Sequence, residues 1–179
     1  SKLISIKLQS KQLLKSIQLP KYYLRGSDQL LVDQQTAWVL ITDADVSGYN
    51  LETGATLWKV DANDCKNILQ TKDRIILVGN ATVRAYLSNT GTGIWEQKST
   101  LSPVYLSTRT TILDHLGSIY IIRNESIAKI NVETGCFLAA QPITQLPKGK
   151  AIYGLEADSS LKSLYFALDK QMFKIRLDL

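Results

Sequence analysis

A chain of 179 residues with 45% hydrophobic and 21% charged side chains has the composition of an ordinary folded domain, which excludes wholesale disorder and a fibrous class. Its 21 basic and 16 acidic residues leave a formal charge of +5, a mild excess that would suit an acidic partner without demanding one. Its apolar runs, such as Ala37 to Ile41 and Ile75 to Val78, fall far short of the ~20 residues that cross a bilayer, so no membrane span is expected, and the opening residues do not read as a signal peptide.

In chain order, the first predicted elements are the strands Leu3 to Leu8 and Leu13 to Ile17 on either side of a polar turn at Gln9 to Gln12. Lys2, Lys7, Lys11, Lys15 and Lys21 carry much of the positive excess here. Lysine at every second or fourth position reads as a solvated sheet face or a protected edge strand. No aromatic-interleaved basic motif accompanies it, so nucleic acid is not an expected partner. Pro20 marks a seam, and Tyr22 and Tyr23 beside it are candidate interaction residues.

Two strands follow, Gln29 to Asp33 and Thr36 to Thr42. Trp38 in the second is a further candidate contact, although its apolar run also suits packing. Asp43 and Asp45 have the spacing of a loop calcium site, but calcium needs ~6 to 8 oxygen ligands and no acidic partners follow nearby. A solvated turn explains them.

From Tyr49 the chain repeats itself. Tyr49-Asn-Leu-Glu-Thr-Gly-Ala-Thr-Leu-Trp58, Tyr86-Leu-Ser-Asn-Thr-Gly-Thr-Gly-Ile-Trp95 and Ile130-Asn-Val-Glu-Thr-Gly-Cys-Phe-Leu-Ala139 superimpose without a gap. Their turn glycines are Gly54, Gly91 and Gly135, and glycine there supplies a positive φ at little steric cost. Each copy reads as strand, polar turn, strand. The spacing of 37 and then 44 residues between those glycines belongs to the ~40-residue class of repeat. Two more strands fit between successive turns, as in Thr111 to Asp114 with Ser118 to Ile122, giving four strands per period. Lys11 holds the glycine position in a degenerate opening copy, and Met172 to Leu179 matches the strand that leads into the turn. Pro20, Pro103 and Pro142 fall just past predicted final strands, where a missing amide hydrogen harms no ladder.

No stretch carries a sustained helical stripe; Asp158 to Lys170 reads better as a turn and a strand, Leu164 to Ala167. The expected fold is therefore all-β. Four-stranded units repeated at this spacing predict a β-propeller of about four antiparallel blades in a single domain over residues 1–179, with approximate blades at 1–20 (partial), 21–62, 63–102, 103–145 and 146–179 (partial). The predicted strands number two, three times four, and three. The terminal pieces overlap in the same strand instead of completing one another, which favours an arc of a larger propeller, closed by further blades or another chain, over a small closed ring.

The Thr-Gly turn with tryptophan four residues after the glycine resembles the repeat of the pyrroloquinoline-quinone-type (quinoprotein) propellers, approximately Ala-Leu-Asp-x-x-Thr-Gly-x-x-x-Trp. Trp58 and Trp95 hold the tryptophan position, while Ala139 and Lys15 depart from it. The resemblance implies that these tryptophans dock neighbouring blades. A WD40-type propeller is the nearest rival, yet neither a Gly-His pair nor a Trp-Asp dipeptide occurs.

The resemblance also raises a quinone-dependent dehydrogenase, whose members typically carry a vicinal cysteine pair and a calcium site. Cys65, in a predicted Asn-Asp-Cys-Lys loop, and Cys136, after Gly135, are not vicinal. They read as two free thiols, neither a disulfide framework nor a zinc site. His115 is the only histidine and suits a turn in Leu-Asp-His-Leu-Gly. No Gly-x-Ser-x-Gly elbow exists, and Gly91-Thr-Gly93 lacks the lysine of a phosphate loop. The sequons at Asn80 and Asn124 matter only in a secretory lumen, and the compartment stays open. No catalytic, metal or cofactor-binding residues are assigned and no cofactor is expected. The function expected is a non-catalytic scaffold for protein–protein interaction or assembly. The alternatives are a small ligand or quinone on the axis, and a sensory domain dimerising through open blade edges.

Overall fold

The computed structural model describes residues 2–7, 12–18, 29–33, 35–41, 44–98, 111–113, 117–123, 126–143, 152–158, 160, 162–168 and 171–177. Among them the chain is all-β. The opening pair, β1 (Lys2–Lys7) and β2 (Gln12–Gln18), forms a two-stranded sheet. Three four-stranded sheets follow: β3 (Gln29–Val32), β4 (Thr36–Ile41), β5 (Asp45–Asn50) and β6 (Thr56–Asp61); β7 (Cys65–Gln70), β8 (Arg74–Gly79), β9 (Thr82–Leu87) and β10 (Gly93–Lys98); and β11 (Thr111–Leu113), β12 (Ser118–Arg123), β13 (Ser126–Asn131) and β14 (Phe137–Pro142). A three-stranded sheet of β15 (Ile152–Ala157), β16 (Ser163–Leu168) and β17 (Gln171–Arg176) completes the described chain. Strands pair antiparallel in chain order within every sheet. The first strands touch in succession, β3 with β7, β7 with β11 and β11 with β15, so the sheets radiate from a common side.

The turn chemistry explains the hairpins. Asn50 Oδ1 accepts the amides of Glu52 and Thr53 at 2.8 and 2.7 Å, and Asn131 Oδ1 does the same for Glu133 and Thr134 at 2.8 and 3.0 Å. The side chain thus takes the place of a backbone turn partner. Gly54, Gly91 and Gly135 sit at φ of 76, 68 and 72°, where a Cβ is penalised. A second set of bonds fixes the blades in equivalent registers: the amides of Leu51, Ser88, Val132 and Leu177 donate to the carbonyls of Gln35, Asp73, Gly117 and Lys162.

Because side chains alternate across a strand, each blade has two faces, and the stack buries both. Ile75 and Leu77 pack toward β3–β6 with Trp38, Val46 and Trp58. Their neighbours Ile76 and Val78 pack the other way, against Ile119, Ile121 and Ile130. Tyr120, Ile122 and Ile127 then meet Leu155, Leu164 and Phe166. Burial on both faces is why β8 and β12 read as unbroken apolar runs instead of alternating ones. The outermost strands β10, β14 and β17 alternate in exposure instead. Pro142 lies inside β14, as its last residue opposite Ser126, and not past it. Since β14 is the edge of its sheet, the missing amide hydrogen can face outward.

Candidate functional site

Among the described residues, a set of polar side chains meets at the seams between blades. Alternating strand direction puts the β6–β7 connection and the β8–β9 turn at one end of the stack. The β7–β8 and β9–β10 turns lie at the other.

At the second end, the carbonyl of Ser88 accepts the indole N–H of Trp58 at 2.9 Å and that of Trp38 at 3.2 Å. The register equivalent in the next blade, the carbonyl of Val132, accepts Trp95 Nε1 at 2.9 Å and Arg74 Nη1 at 3.1 Å. Arg74 also pairs with Glu133. The ring faces lie on the turn glycines: a Cβ built on Gly91 would stand 2.7 Å from Trp58 Cδ2, and one on Gly135 would stand 2.6 Å from Trp95 Cδ2. Trp58 and Trp95, at the blade-docking positions of the sequence, thus each reach from an outermost strand onto the turn of the following blade. Trp38 is corrected as an interaction residue. It is 1% exposed in the first seam, because its β4 position faces the following blade, and no partner protein can reach it there.

At the first end, Arg84 and Asp64 form a clasp. Arg84 Nη2 lies 2.5 Å from Asp64 Oδ1, Arg84 Nη1 donates to the carbonyl of Asp61 at 3.2 Å, and Thr82 Oγ1 donates to Asp64 Oδ2 at 2.8 Å. These bonds tie β9 to the connection that enters its own blade from the preceding one. Nearer the axis, the Gln29 side chain spans the seam, its Nε2 donating to the Lys66 carbonyl at 3.0 Å and its Oε1 accepting from Ile68 N at 3.1 Å. The third seam has no tryptophan at Ala139; there Gln141 Nε2 donates to the Arg176 carbonyl at 2.9 Å.

Cys65 belongs to this clasp. It is not a loop residue: it opens β7 and is fully buried, with its Sγ 3.2 Å from Arg84 Nη2. Burial pushes its thiol up to about 12, outweighing the opposing pull of Arg84. The thiol is therefore neutral and inert at ordinary pH. Cys136 is exposed, and both cysteines are free. A thiol reagent at pH 8 is expected to modify one equivalent per folded chain at once, at Cys136, and a second only on unfolding. Two fast equivalents would contradict the burial. Because the folded value lies above the unfolded one, Cys65 favours the fold fully below about pH 9, and that contribution is lost as pH rises toward 12. The difference in alkaline stability slope between the natural chain and Cys65→Ala measures it.

Asp45, one of the two residues spaced as in a calcium loop, is engaged within the fold: its carboxylate meets Lys59 Nζ at 3.0 Å and accepts from Ser47 Oγ at 3.1 Å. Asp43, His115, Tyr22, Tyr23, Pro20 and Pro103 lie outside the described residues, as does Lys11. Sequence reasoning passed over Gln29, Arg74, Arg84 and Asp64. A charged residue set between buried positions, as Arg84 is between Val83 and Ala85, was the available signal.

The fold has counterparts among solved structures. BamB from Moraxella catarrhalis is similar at 14% identity and a TM-score of 0.65, over 93% of this chain and 53% of that one. Hsv2 from Kluyveromyces lactis is similar at 11% identity and a TM-score of 0.74, over 98% of this chain and 54% of that one. The fold is that of a β-propeller. The computationally designed Ika4 protein matches at 11% identity and a TM-score of 0.65, over 83% of this chain and 89% of that one. The chain thus spans about half the length of the two natural propellers. No protein-family profile and no curated protein matches it.

Proposed function

We propose that this chain is a non-catalytic β-propeller scaffold that binds protein through its outer strands, built from degenerate quinoprotein-like repeats. The observation that carries the reading is where the chemistry of the described residues goes. Arg74, Arg84, Asp64, Glu133 and the Cys65 thiol are engaged in blade seams. Apolar side chains meanwhile lie open on the outermost strands: Leu57 on β6, Ile94 on β10, and Phe137 and Leu138 on β14. Leu57, Ile94 and Leu138 occupy the same repeat position, so successive blades present one apolar residue each at the rim. Apolar groups set in a polar rim are what a protein partner buries. The docking of Trp58 and Trp95 onto turn glycines supports the quinoprotein-like assignment.

Immobilised chain is expected to retain a defined protein partner, and Leu57→Asp with Leu138→Asp to weaken that capture at least tenfold without lowering the melting temperature. The competing reading is a quinone on the axis. It would be favoured instead by a rise of several degrees in melting temperature on adding pyrroloquinoline quinone with calcium, accompanied by dye-linked dehydrogenase turnover.

A further inference from the structure

The outermost strands of the three four-stranded blades expose the same five positions and fill them differently. Counted from the turn glycine, these are the first, second, third, fifth and seventh residues. The first blade presents Ala55, Thr56, Leu57, Lys59 and Asp61, and the second presents Thr92, Gly93, Ile94, Glu96 and Lys98. The third presents Cys136, Phe137, Leu138, Ala140 and Pro142. None of these five is charged, four are hydrocarbon, and Phe137 and Leu138 stand 39% and 52% exposed.

Charges on an outer strand keep the open edge of a sheet in water. Lys59 with Asp61 and Glu96 with Lys98 serve the first two blades in this way; Ala140 and Pro142 hold those positions in the third. Among the described residues β14 pairs only with β13. The register passes from Lys129 with Ala139 to Ile130 with Phe137, so Leu138 is the extra residue of a bulge. The bulge, and the N–H that Pro142 lacks, limit how far a further strand could extend the ladder. What β14 offers is therefore a strip of apolar side chains more than a backbone edge.

We infer that this strip seats an extended, uncharged apolar segment of a partner protein. The inference rests on the scaffold reading and deepens it by naming the blade and the chemistry of the partner. Shape, charge and size each favour that occupant. The strip runs along a single strand for ~20 Å, which suits a chain lying lengthwise. It holds no charge to answer one on the partner, and a charge buried there unpaired would be costly. Its exposed apolar area is a few hundred Å², so two copies meeting through it would bury less than the ~1,200 Å² of a stable interface. A second copy of this chain is thus a poor occupant, whereas a single segment needs no more than the strip.

The probe is a synthetic nonapeptide of alternating valine and serine, with a control peptide carrying glutamate in place of serine. Cys136 reports binding from within the strip, since it is exposed and free while Cys65 is buried. The neutral peptide is expected to bind with Kd below about 1 mM, and at ten times Kd to slow modification of Cys136 by a thiol reagent about tenfold. Phe137→Thr and Ala140→Lys give β14 the residues of the first blade at two exposed positions. Each should weaken binding about tenfold or more with the melting temperature unchanged, and Ile94→Thr on β10 should leave it as it was. No protection of Cys136 by the neutral peptide at about 1 mM overturns the inference. So does equal binding of the glutamate peptide, or a dimer in solution that Ala140→Lys dissociates. A protein partner whose capture falls with Leu57→Asp alone and ignores Phe137→Thr and Ala140→Lys overturns it too, and leaves the scaffold reading standing.

Discussion

Trp58→Ala is expected to destabilise the chain by about 3 to 5 kcal/mol, the usual range for truncating a buried tryptophan. Trp58 is 8% exposed and belongs to the first seam core with Val46, Ile75 and Leu77. Its loss would empty the space over Gly91 and Gly48, which have no side chains to fill it, and would leave the Ser88 carbonyl with Trp38 alone. The ring belongs to one blade and its bed to the next, so the cavity opens at a seam that cannot collapse without moving a whole sheet. Trp58→Phe separates the terms: it keeps an aromatic ring and drops the N–H, and should cost about 1 kcal/mol for the hydrogen bond plus a smaller packing loss. Chemical denaturation measures both. A Trp58→Ala cost below about 1.5 kcal/mol would mean that this seam contributes little to holding the first two full blades together.

Gly91→Ala is expected to cost about 2 to 4 kcal/mol, more than the left-handed backbone alone accounts for. Placing alanine at positive φ costs roughly 1 kcal/mol; the rest comes from the Cβ, which would stand 2.7 Å from Trp58 and must push the ring off its bed. Gly117 supplies the control within the same fold. It too has a positive φ, 81°, yet a Cβ there meets nothing within 4 Å, so Gly117→Ala should show only the backbone cost. In a Trp58→Ala background the penalty at Gly91 should fall to about that of Gly117, a coupling of 1 to 3 kcal/mol. Equal costs at Gly91 and Gly117 in the natural background would show that the turn, and not the docking, requires the glycine.

Much of this architecture could be read from the sequence because its signals are local. The Thr-Gly turns declare themselves through a glycine that tolerates positive φ, joined in two of the three by an asparagine, Asn50 or Asn131, that caps the turn. Strand number followed from turn spacing, and the sheets of two, four, four, four and three strands have the expected counts. Trp58 and Trp95 stood out by recurring at one offset from a glycine. Gln29, Arg74, Arg84 and Asp64 did not, since each finds its partner in another blade or across a connection, at separations such as 58 residues for Arg74 and Val132 that no repeat offset reveals. Trp38 was legible only as an apolar residue in a strand that could pack or be presented to a partner.

The sequence by itself determined the local chemistry: which segments extend, where they turn, and that four strands form the unit. Turn geometry and strand alternation depend on residues within a few positions of one another. Only the tertiary structure decided which way each strand face points and what it meets, because alternation assigns residues to two faces without naming which neighbour covers which. That choice buried Trp38 and set the thiol of Cys65 beneath Arg84.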